Sequence, residues 1–214
     1  MRKIKKYLLF FLIIILVSAC KKKDEDNPIV TMRGDSFMTV ILNDEFTDPG
    51  ADAYDNNDGP LAVEISGIVN TDFAGTYYIV YSATDASGNS GQTVRTVVVR
   101  NEAAPYSGEY TGTCTTAADT TTILATVLAS TTVNKRIWIA GFAQYQQVSV
   151  FADISNDTIS IPSQLSPQGN TGLTHRYAGN GIVSSISDST IFEIHYSDSV
   201  SGTITTGDMV YKKL

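Results

Sequence analysis

The sequence predicts an all-β chain with two β domains in a row, and three observations carry that reading. After the first thirty or so residues, Gly, Ser, Thr, Val, Ile and Tyr dominate, and the β-branched and aromatic members of that set fit a pleated, half-buried surface. Apolar and polar residues alternate at period two over short runs bounded by Gly, Asn and Asp, the pattern of strands joined by tight turns. No stretch reads as a helix of ten residues. Hydrophobic residues make up 43% of the chain and charged ones 17%, so the chain can fill a core and is not compositionally disordered.

The first segment is read as a targeting signal and is set aside before the fold. Met1-Arg2-Lys3-Ile4-Lys5-Lys6 is basic, Tyr7 to Val17 is apolar, and Ser18, Ala19 and Cys20 follow. The apolar run is about 11 residues, whereas a transmembrane helix needs roughly 20. No later segment of the sequence is long or apolar enough to span a bilayer as a helix. Leu16-Val17-Ser18-Ala19-Cys20 resembles the bacterial lipobox. That resemblance implies a signal peptide at 1–19, cleavage before Cys20 and a lipid anchor on its thiol; an ordinary secretory signal is the alternative. Two or three acyl chains, at ~0.8 kcal/mol per buried methylene, hold a protein stably at a membrane.

Removal of 1–19 takes Arg2, Lys3, Lys5 and Lys6 with it, leaving 195 residues and shifting the net charge from −7 to −11. So acidic a chain is a poor partner for nucleic acid. Residues 20–28 comprise Cys20 and the run Lys-Lys-Lys-Asp-Glu-Asp-Asn-Pro, read as a solvated tether in which nothing packs. Lys followed by acidic residues after the cysteine also resembles the surface-export signal of Bacteroidota lipoproteins, which implies display on the outer face of the outer membrane. Cys114 is the one other cysteine. With Cys20 lipidated it has no partner for a disulfide, and it reads as a buried, small apolar residue.

Residues 29–101 form the first domain. Strands are expected at 37–42, 61–65, 75–85 and 93–99, the last two joined as a hairpin through Asp85-Ala86-Ser87-Gly88-Asn89. Short strands with Gly and Asp turns over about 75 residues suggest a small sandwich. Asp48-Pro49-Gly50-Ala51-Asp52-Ala53, Asp55-Asn56-Asn57-Asp58-Gly59 and Gly75 to Asn89 occur in the order seen in a bacterial immunoglobulin-like family, the one described from a pesticidal crystal protein. From roughly Ile29 to Arg100 the chain resembles that family. The resemblance implies an Ig-like sandwich serving as a spacer or adhesion module, with no catalytic residues to transfer. Pro60-Leu61-Ala62 departs from the acidic turn more usual there.

Residues 102–106, which include Glu102-Ala103-Ala104-Pro105, read as a linker to a second domain at 107–214. Eight strands are expected, near 108–115, 121–129, 136–142, 147–154, 158–162, 175–184, 190–196 and 209–212, enough for an up-and-down meander barrel. Ser107-Gly108-Glu109-Tyr110-Thr111-Gly112, Ile159-Ser160-Ile161-Pro162-Ser163-Gln164 and Gly179-Asn180-Gly181-Ile182-Val183 resemble small lipocalin-like domains of Bacteroidota lipoproteins. A second β-sandwich is the alternative.

A search for chemistry finds little. His175 and His195 are the only histidines. His195 shares a strand face with Glu193, yet no third residue has metal-site spacing, so an exposed strand histidine is expected. Neither a Gly-x-Ser-x-Gly elbow, a His-Glu-x-x-His pair nor a phosphate-binding glycine loop occurs, and the chain is read as not an enzyme, without metal or cofactor. Asp55-Asn56-Asn57-Asp58-Gly59 resembles the start of a calcium loop, but Ser66 stands where an EF-hand needs its bidentate Glu, and Asx-Gly runs make turns without an ion. Arg33-Gly34-Asp35 spells the integrin tripeptide and reads as a turn. Asp119-Thr120-Thr121, Asp157-Thr158-Ile159, Asp188-Ser189-Thr190 and Asp198-Ser199-Val200 match a short O-glycosylation pattern that a Ser/Thr-rich chain also produces by chance.

Aromatic residues of the second domain are the candidate ligand contacts: Trp138, Phe142, Tyr145, Tyr106 and Tyr110. Sugar rings and apolar ligands both bind aromatic faces. Against this, Trp138 sits in Arg136-Ile137-Trp138-Ile139-Ala140, where one face must be core. The expected function is a non-catalytic cell-surface lipoprotein that binds a glycan, a small molecule or a partner protein of a nutrient-uptake system. The alternative is a structural spacer or assembly factor of an outer-membrane complex.

Overall fold

The structure is a computed structural model that describes residues 23–167, 173–186 and 189–214. The signal peptide, the anchor Cys20, Lys21, Lys22 and Asp188 lie outside the described residues. Among the described residues the chain is all β, apart from one 3-10 turn at Ala104–Tyr106, and no helix is long and apolar enough to cross a membrane.

The N-terminal, Ig-like domain has seven strands: β1 (Ile29–Met32), β2 (Phe37–Ile41), β3 (Ala51–Asp55), β4 (Gly59–Leu61), β5 (Glu64–Ser66), β6 (Gly75–Thr84) and β7 (Ser90–Arg100). They form a three-stranded sheet, β1-β3-β4, and a four-stranded sheet, β2-β7-β6-β5. The pairing β2–β7 is parallel, from Phe37 opposite Thr96 to Ile41 opposite Arg100. β6 and β7 are the hairpin expected from the alternation. The strand expected at 61–65 is instead two short strands, β4 and β5, with Pro60 in the first. β1 and β3 have no counterpart in the alternation pattern; the buried face of β3 carries Ala53 and Asp55, so no hydrophobic period marks it.

Contacts group the described chain into two compact units. The first takes residues up to Ser36 with Asp48–Gly67 and Tyr78–Arg95; the second takes Phe37–Thr47, Ile68–Tyr77 and Thr96–Leu214. At the centre of the first unit is a charge. Arg95 is 0% exposed, on the inward face of a strand whose other inward residues are Val97 and Val99. It pairs with Asp48 and donates to the carbonyls of Arg33, Asp35 (3.0 Å) and Gly50 (3.4 Å). Its guanidinium also lies 5.3 Å from the centre of the Tyr81 ring, whose hydroxyl donates to Asp48 at 2.5 Å. Arg33-Gly34-Asp35 is therefore a bend, with Gly34 at φ 71° and its flanking carbonyls held by Arg95.

The same unit contains residues 23–28, and here the structure departs from the expected solvated tether. Pro28 is buried and Asp24 half-buried, and Asn89 Nδ2 donates to the Asp24 carbonyl at 3.1 Å. A Cβ on Gly91 would stand 1.9 Å from the Pro28 carbonyl oxygen, so only glycine allows that approach.

The second unit is dominated by a closed barrel of β8 (Gly108–Thr116), β9 (Thr120–Ala129), β10 (Arg136–Phe142), β11 (Tyr145–Ser155), β12 (Thr158–Pro167), β13 (Thr174–Ile186), β14 (Ser189–Val200) and β15 (Thr203–Lys213). Each strand is antiparallel to the next, and β15 closes onto β8 from Gly207 opposite Thr116 to Lys213 opposite Tyr110. The second β-sandwich is thereby set aside in favour of the up-and-down barrel. Eight strands leave an interior about wide enough for side chains to fill, and Tyr110, Phe142, Tyr177, Phe192, Tyr196 and Tyr211 are among those that fill it. Space for two of these rings comes from glycine: a Cβ on Gly112 would meet the Tyr211 ring at 2.7 Å, and one on Gly207 the Tyr196 hydroxyl at 2.7 Å. Cys114 is free and buried in the same interior, 3.3 Å from the Tyr196 hydroxyl.

Asn101, just past β7, is buried and fixes the β9–β10 connection. Its Nδ2 faces the carbonyls of Ser130 (2.8 Å), Val133 (2.9 Å) and Arg136 (3.2 Å), and its Oδ1 accepts from the amides of Ala103 and Lys135, both at 2.8 Å.

Candidate functional site

The barrel wall decides which aromatic residues a ligand can reach. Along β10 the inward positions are Ile137 and Ile139, so period two turns Arg136, Trp138 and Ala140 outward. Trp138 is 45% exposed. Directly opposite it stand Leu128 of β9 and Phe151 of β11, so the outer wall carries a row Leu128–Trp138–Phe151 across three strands. Leu128 is exposed as well. Trp138 and Phe151 meet edge to face, with centroids 5.6 Å apart, a favoured aromatic geometry.

The row is flanked by a polar pair. Arg136 Nε and Nη2 donate to the two carboxylate oxygens of Asp153 at 2.7 and 2.9 Å, a bidentate arrangement that fixes the guanidinium plane. These bonds to Asp153 raise the Arg136 pKa against the opposing effect of burial. The same guanidinium lies 4.1 Å from the centre of the Phe151 ring, within cation–π range. Behind Phe151, Gln164 supplies what the backbone ladder does not: its Oε1 accepts from the Phe151 amide at 2.9 Å and its Nε2 donates to the Phe151 carbonyl at 2.8 Å. The β11–β12 ladder runs only from Asp153 opposite Ser160 to Ser155 opposite Thr158, short of Phe151, and β12 also shifts its register against β13 between Ile161 and Gln164. The result is a firmly backed aromatic and aliphatic surface with a rigid charged pair at its side.

The other four aromatic candidates lie elsewhere. Phe142 and Tyr110 are fully buried; Phe142 meets Tyr177 and Tyr196 edge to face, and Tyr110 stacks on Phe192 at 5.2 Å. They belong to the filling of the barrel: Tyr110 points inward at period two, and Phe142, which shares its parity with Trp138, is turned inward by the register shift after Ala140, where Gly141 stands at φ 88°. Tyr106 and Tyr145 are partly buried and packed against that core. Tyr106 also borders a cavity of about 200 Å³ with Glu102, Ala103, Lys135, Ile154 and Asn156. The five candidates therefore do not form one site, and Trp138 is the one on the open wall.

The histidines differ from each other too. His195 is exposed and bonds Asp208 through Nδ1 at 2.7 Å. His175 is buried: its Nδ1 lies 2.8 Å from both Asp198 oxygens, its ring stacks on Tyr177, and Tyr145 stands 5.9 Å away. The His175 Nε2 and the Tyr177 hydroxyl are buried without partners among the described residues. Burial, then the nearby Asp198 and Tyr145, push the Tyr177 hydroxyl well above the ordinary 10. The structure thus gathers a polar cluster inside the barrel that the sequence does not reveal, since Asp198 approaches His175 only through the β13–β14 register. It also places Asp198, one of the glycosylation-pattern residues, in the interior.

An Ig-like domain followed by a closed eight-stranded antiparallel barrel, with an aromatic row on the barrel's outer wall, defines the architecture. Residues 30–99 match the family described as bacterial surface protein, Ig-like domain, the stretch whose turn motifs read as Ig-like. No curated protein matches the chain. Among solved structures the chain is similar to a lipoprotein from Bacteroides thetaiotaomicron, with a TM-score of 0.35 and 17% identity, over 86% of this chain and 98% of that one. It is also similar to the structure of CBM51-2 in complex with GlcNAc and INT domains from Clostridium perfringens ZmpB, with a TM-score of 0.30 and 13% identity, over 87% of this chain and 44% of that one.

Proposed function

We propose that the chain is a non-catalytic lipoprotein of the outer membrane, anchored through Cys20 and displayed at the cell surface. There it works as a binding or accessory module whose contact surface is the outer wall around Trp138. One observation carries the reading: the barrel interior is filled by its own side chains, while its single Trp faces solvent in a row with Leu128 and Phe151. Such exposure of a large apolar side chain costs solvation energy that a ligand or partner would recover. The chemistry suits a glycan. An indole face offers a stacking platform, and the Arg136–Asp153 pair offers fixed donors and acceptors beside it. The match at 30–99 to a domain of bacterial surface proteins supports the location, as do the lipobox-like segment and the charged residues after it.

The test is binding by the mature protein on a glycan array, followed by calorimetry on any hit. A Trp138→Ala variant is expected to weaken binding at least tenfold, with an unchanged circular dichroism spectrum. A wild-type protein without any glycan ligand would remove the glycan version of the reading. The anchor is tested separately: Cys20→Ala is expected to abolish palmitate labelling and release the chain from the membrane fraction.

The Ig-like match also favours a second reading, a structural spacer or assembly factor whose domains contact only proteins. Co-purification with a defined outer-membrane complex, unaffected by Trp138→Ala, would favour it.

A further inference from the structure

The first unit holds three carboxylates that the proposed function does not use. Asp24 precedes β1, Asp55 ends β3 and Asp85 opens the β6–β7 turn. One oxygen from each lies within 4.8 Å of the other two. Asp55 is 2% exposed and Asp85 is buried beside it.

Turn amides occupy only one side of each group. Asn57 and Asp58 donate to Asp55 Oδ1 at 2.8 and 3.0 Å. Ser87 and Asn89 donate to Asp85 Oδ1 at 2.9 and 2.7 Å, and Asp26 donates to Asp24 Oδ1 at 3.1 Å. The opposite oxygens of two groups are left over: Asp55 Oδ2 and Asp24 Oδ2 are both buried without a partner among the described residues. An orphaned oxygen on a carboxylate so fully withdrawn from water is costly. No ion pair among the described residues involves any of the three. A divalent cation would supply the partner these oxygens lack.

We propose that Asp24, Asp55 and Asp85 form a binding site for one divalent cation, of the calcium type. The donors are all carboxylate oxygens, the ligands of hard cations. Oxygens bound to Ca²⁺ at about 2.3–2.6 Å stand at most about 5 Å apart across the ion, and the 4.8 Å limit on this group fits that span. Mg²⁺ demands near-ideal octahedral geometry at about 2.0–2.1 Å, to which carboxylates pinned by turn amides adjust poorly.

The site is preorganised. Asp58 Oδ2 accepts from the Ala86 amide at 2.7 Å, tying the β3–β4 turn to the β6–β7 turn. Asn89 Nδ2 donates both to Asp85 Oδ2 at 2.7 Å and to the Asp24 carbonyl at 3.1 Å, and so acts as a positioning residue. The Asp55-to-Gly59 run is thus one part of a calcium site whose remaining ligands come from 31 residues before and 30 after Asp55, not from an EF-hand loop. Because Asp24 stands four residues from Cys20, the ion clamps the segment leading from the anchor to two turns of the Ig-like domain. This proposal is independent of the Trp138 surface.

The test is calcium titration by calorimetry on the mature lipoprotein in detergent, stripped with EDTA and dialysed. One Ca²⁺ per chain is expected, with a higher melting temperature and at least tenfold slower tryptic cleavage after Lys23. Asp24→Asn is expected to lower the affinity at least tenfold with an unchanged circular dichroism spectrum. It lies outside every strand, so it remains informative even if Asp55→Asn fails to fold. Trp138→Ala is expected to bind Ca²⁺ like wild type, which separates this site from the proposed ligand surface. Absence of binding at millimolar Ca²⁺, or wild-type affinity in Asp24→Asn, would overturn the site. Mg²⁺ binding as tight as Ca²⁺ would overturn the assignment of the ion.

Discussion

Each unit buries a basic side chain against an acidic one, and the two pairs are finished differently. In the first, Arg95 is satisfied on several sides by Asp48 and by the carbonyls of Arg33, Asp35 and Gly50, while Tyr81 completes Asp48. In the barrel, His175 and Asp198 satisfy each other, but the His175 Nε2 and the Tyr177 hydroxyl have no partner among the described residues. The contrast separates two uses of polarity in a β core. Arg95 replaces backbone pairing that irregular segments cannot make for themselves, so the fold depends on it. The barrel closes through its own ladders and needs its interior pair only to be self-consistent.

The largest effect should come from breaking the first pair. Arg95→Met removes the counter-charge of Asp48 and the donors to the Arg33 and Asp35 carbonyls, and chemical denaturation is expected to show a loss of about 3–5 kcal/mol. Replacing both Arg95 and Asp48 by apolar residues is not expected to restore stability, because the carbonyls stay unpaired. At the second pair the outcome should differ. His175→Phe alone leaves the buried Asp198 carboxyl without its donor, at about 1–3 kcal/mol, whereas the double variant His175→Phe with Asp198→Leu should return close to wild type. Equal behaviour of the two double variants would erase the distinction.

Alkaline pH sharpens it further. Burial, with the bond and charge of Asp48 added and Arg95 opposing, pushes Tyr81 up to about 12. In the barrel, burial likewise pushes Tyr110 to about 12, and Tyr177, Tyr196 and Tyr211 are raised above the ordinary 10. A raised pKa means the fold favours the neutral phenol. That stability is fully present below pH 10 and is lost as pH rises through about 12. Four of these five tyrosines are in the barrel, so barrel signals should melt first in denaturation series between pH 9 and 12. Tyr177→Phe, which removes a hydroxyl without a partner, should be neutral or slightly stabilising at pH 7. The smallest effect belongs to the exposed His195: His195→Gln should leave stability within about 0.5 kcal/mol of wild type.

Most of the fold was legible because strands of both domains alternate at period two. All eight barrel strands fall within or around the stretches where alternation placed them, and only their ends differ. β3 escaped because its inward residues are Ala53 and Asp55, which give no hydrophobic signal. The orientation of Trp138 was available in principle, since Ile137 and Ile139 flank it and claim the inner face. Phe142 and Tyr110 were misleading, since an aromatic strand residue looks alike whether it fills a barrel or lines a ligand site. The partners of Arg95, His175 and Asp24 were beyond reach. Each depends on registers or turns that bring together residues 23 to 62 positions apart, and a charge run such as 21–26 reads as solvated until its partners are known.

The outer wall at Trp138 is the proposed binding surface, and the barrel interior is filled by its own side chains. The most direct measurement is ligand affinity of the mature protein for its best array glycan, compared across Trp138→Ala and His175→Phe with Asp198→Leu. Binding weakened at least tenfold by the first variant and unchanged by the second is the predicted result. Binding that survives loss of Trp138 and disappears with the interior pair would contradict the claim.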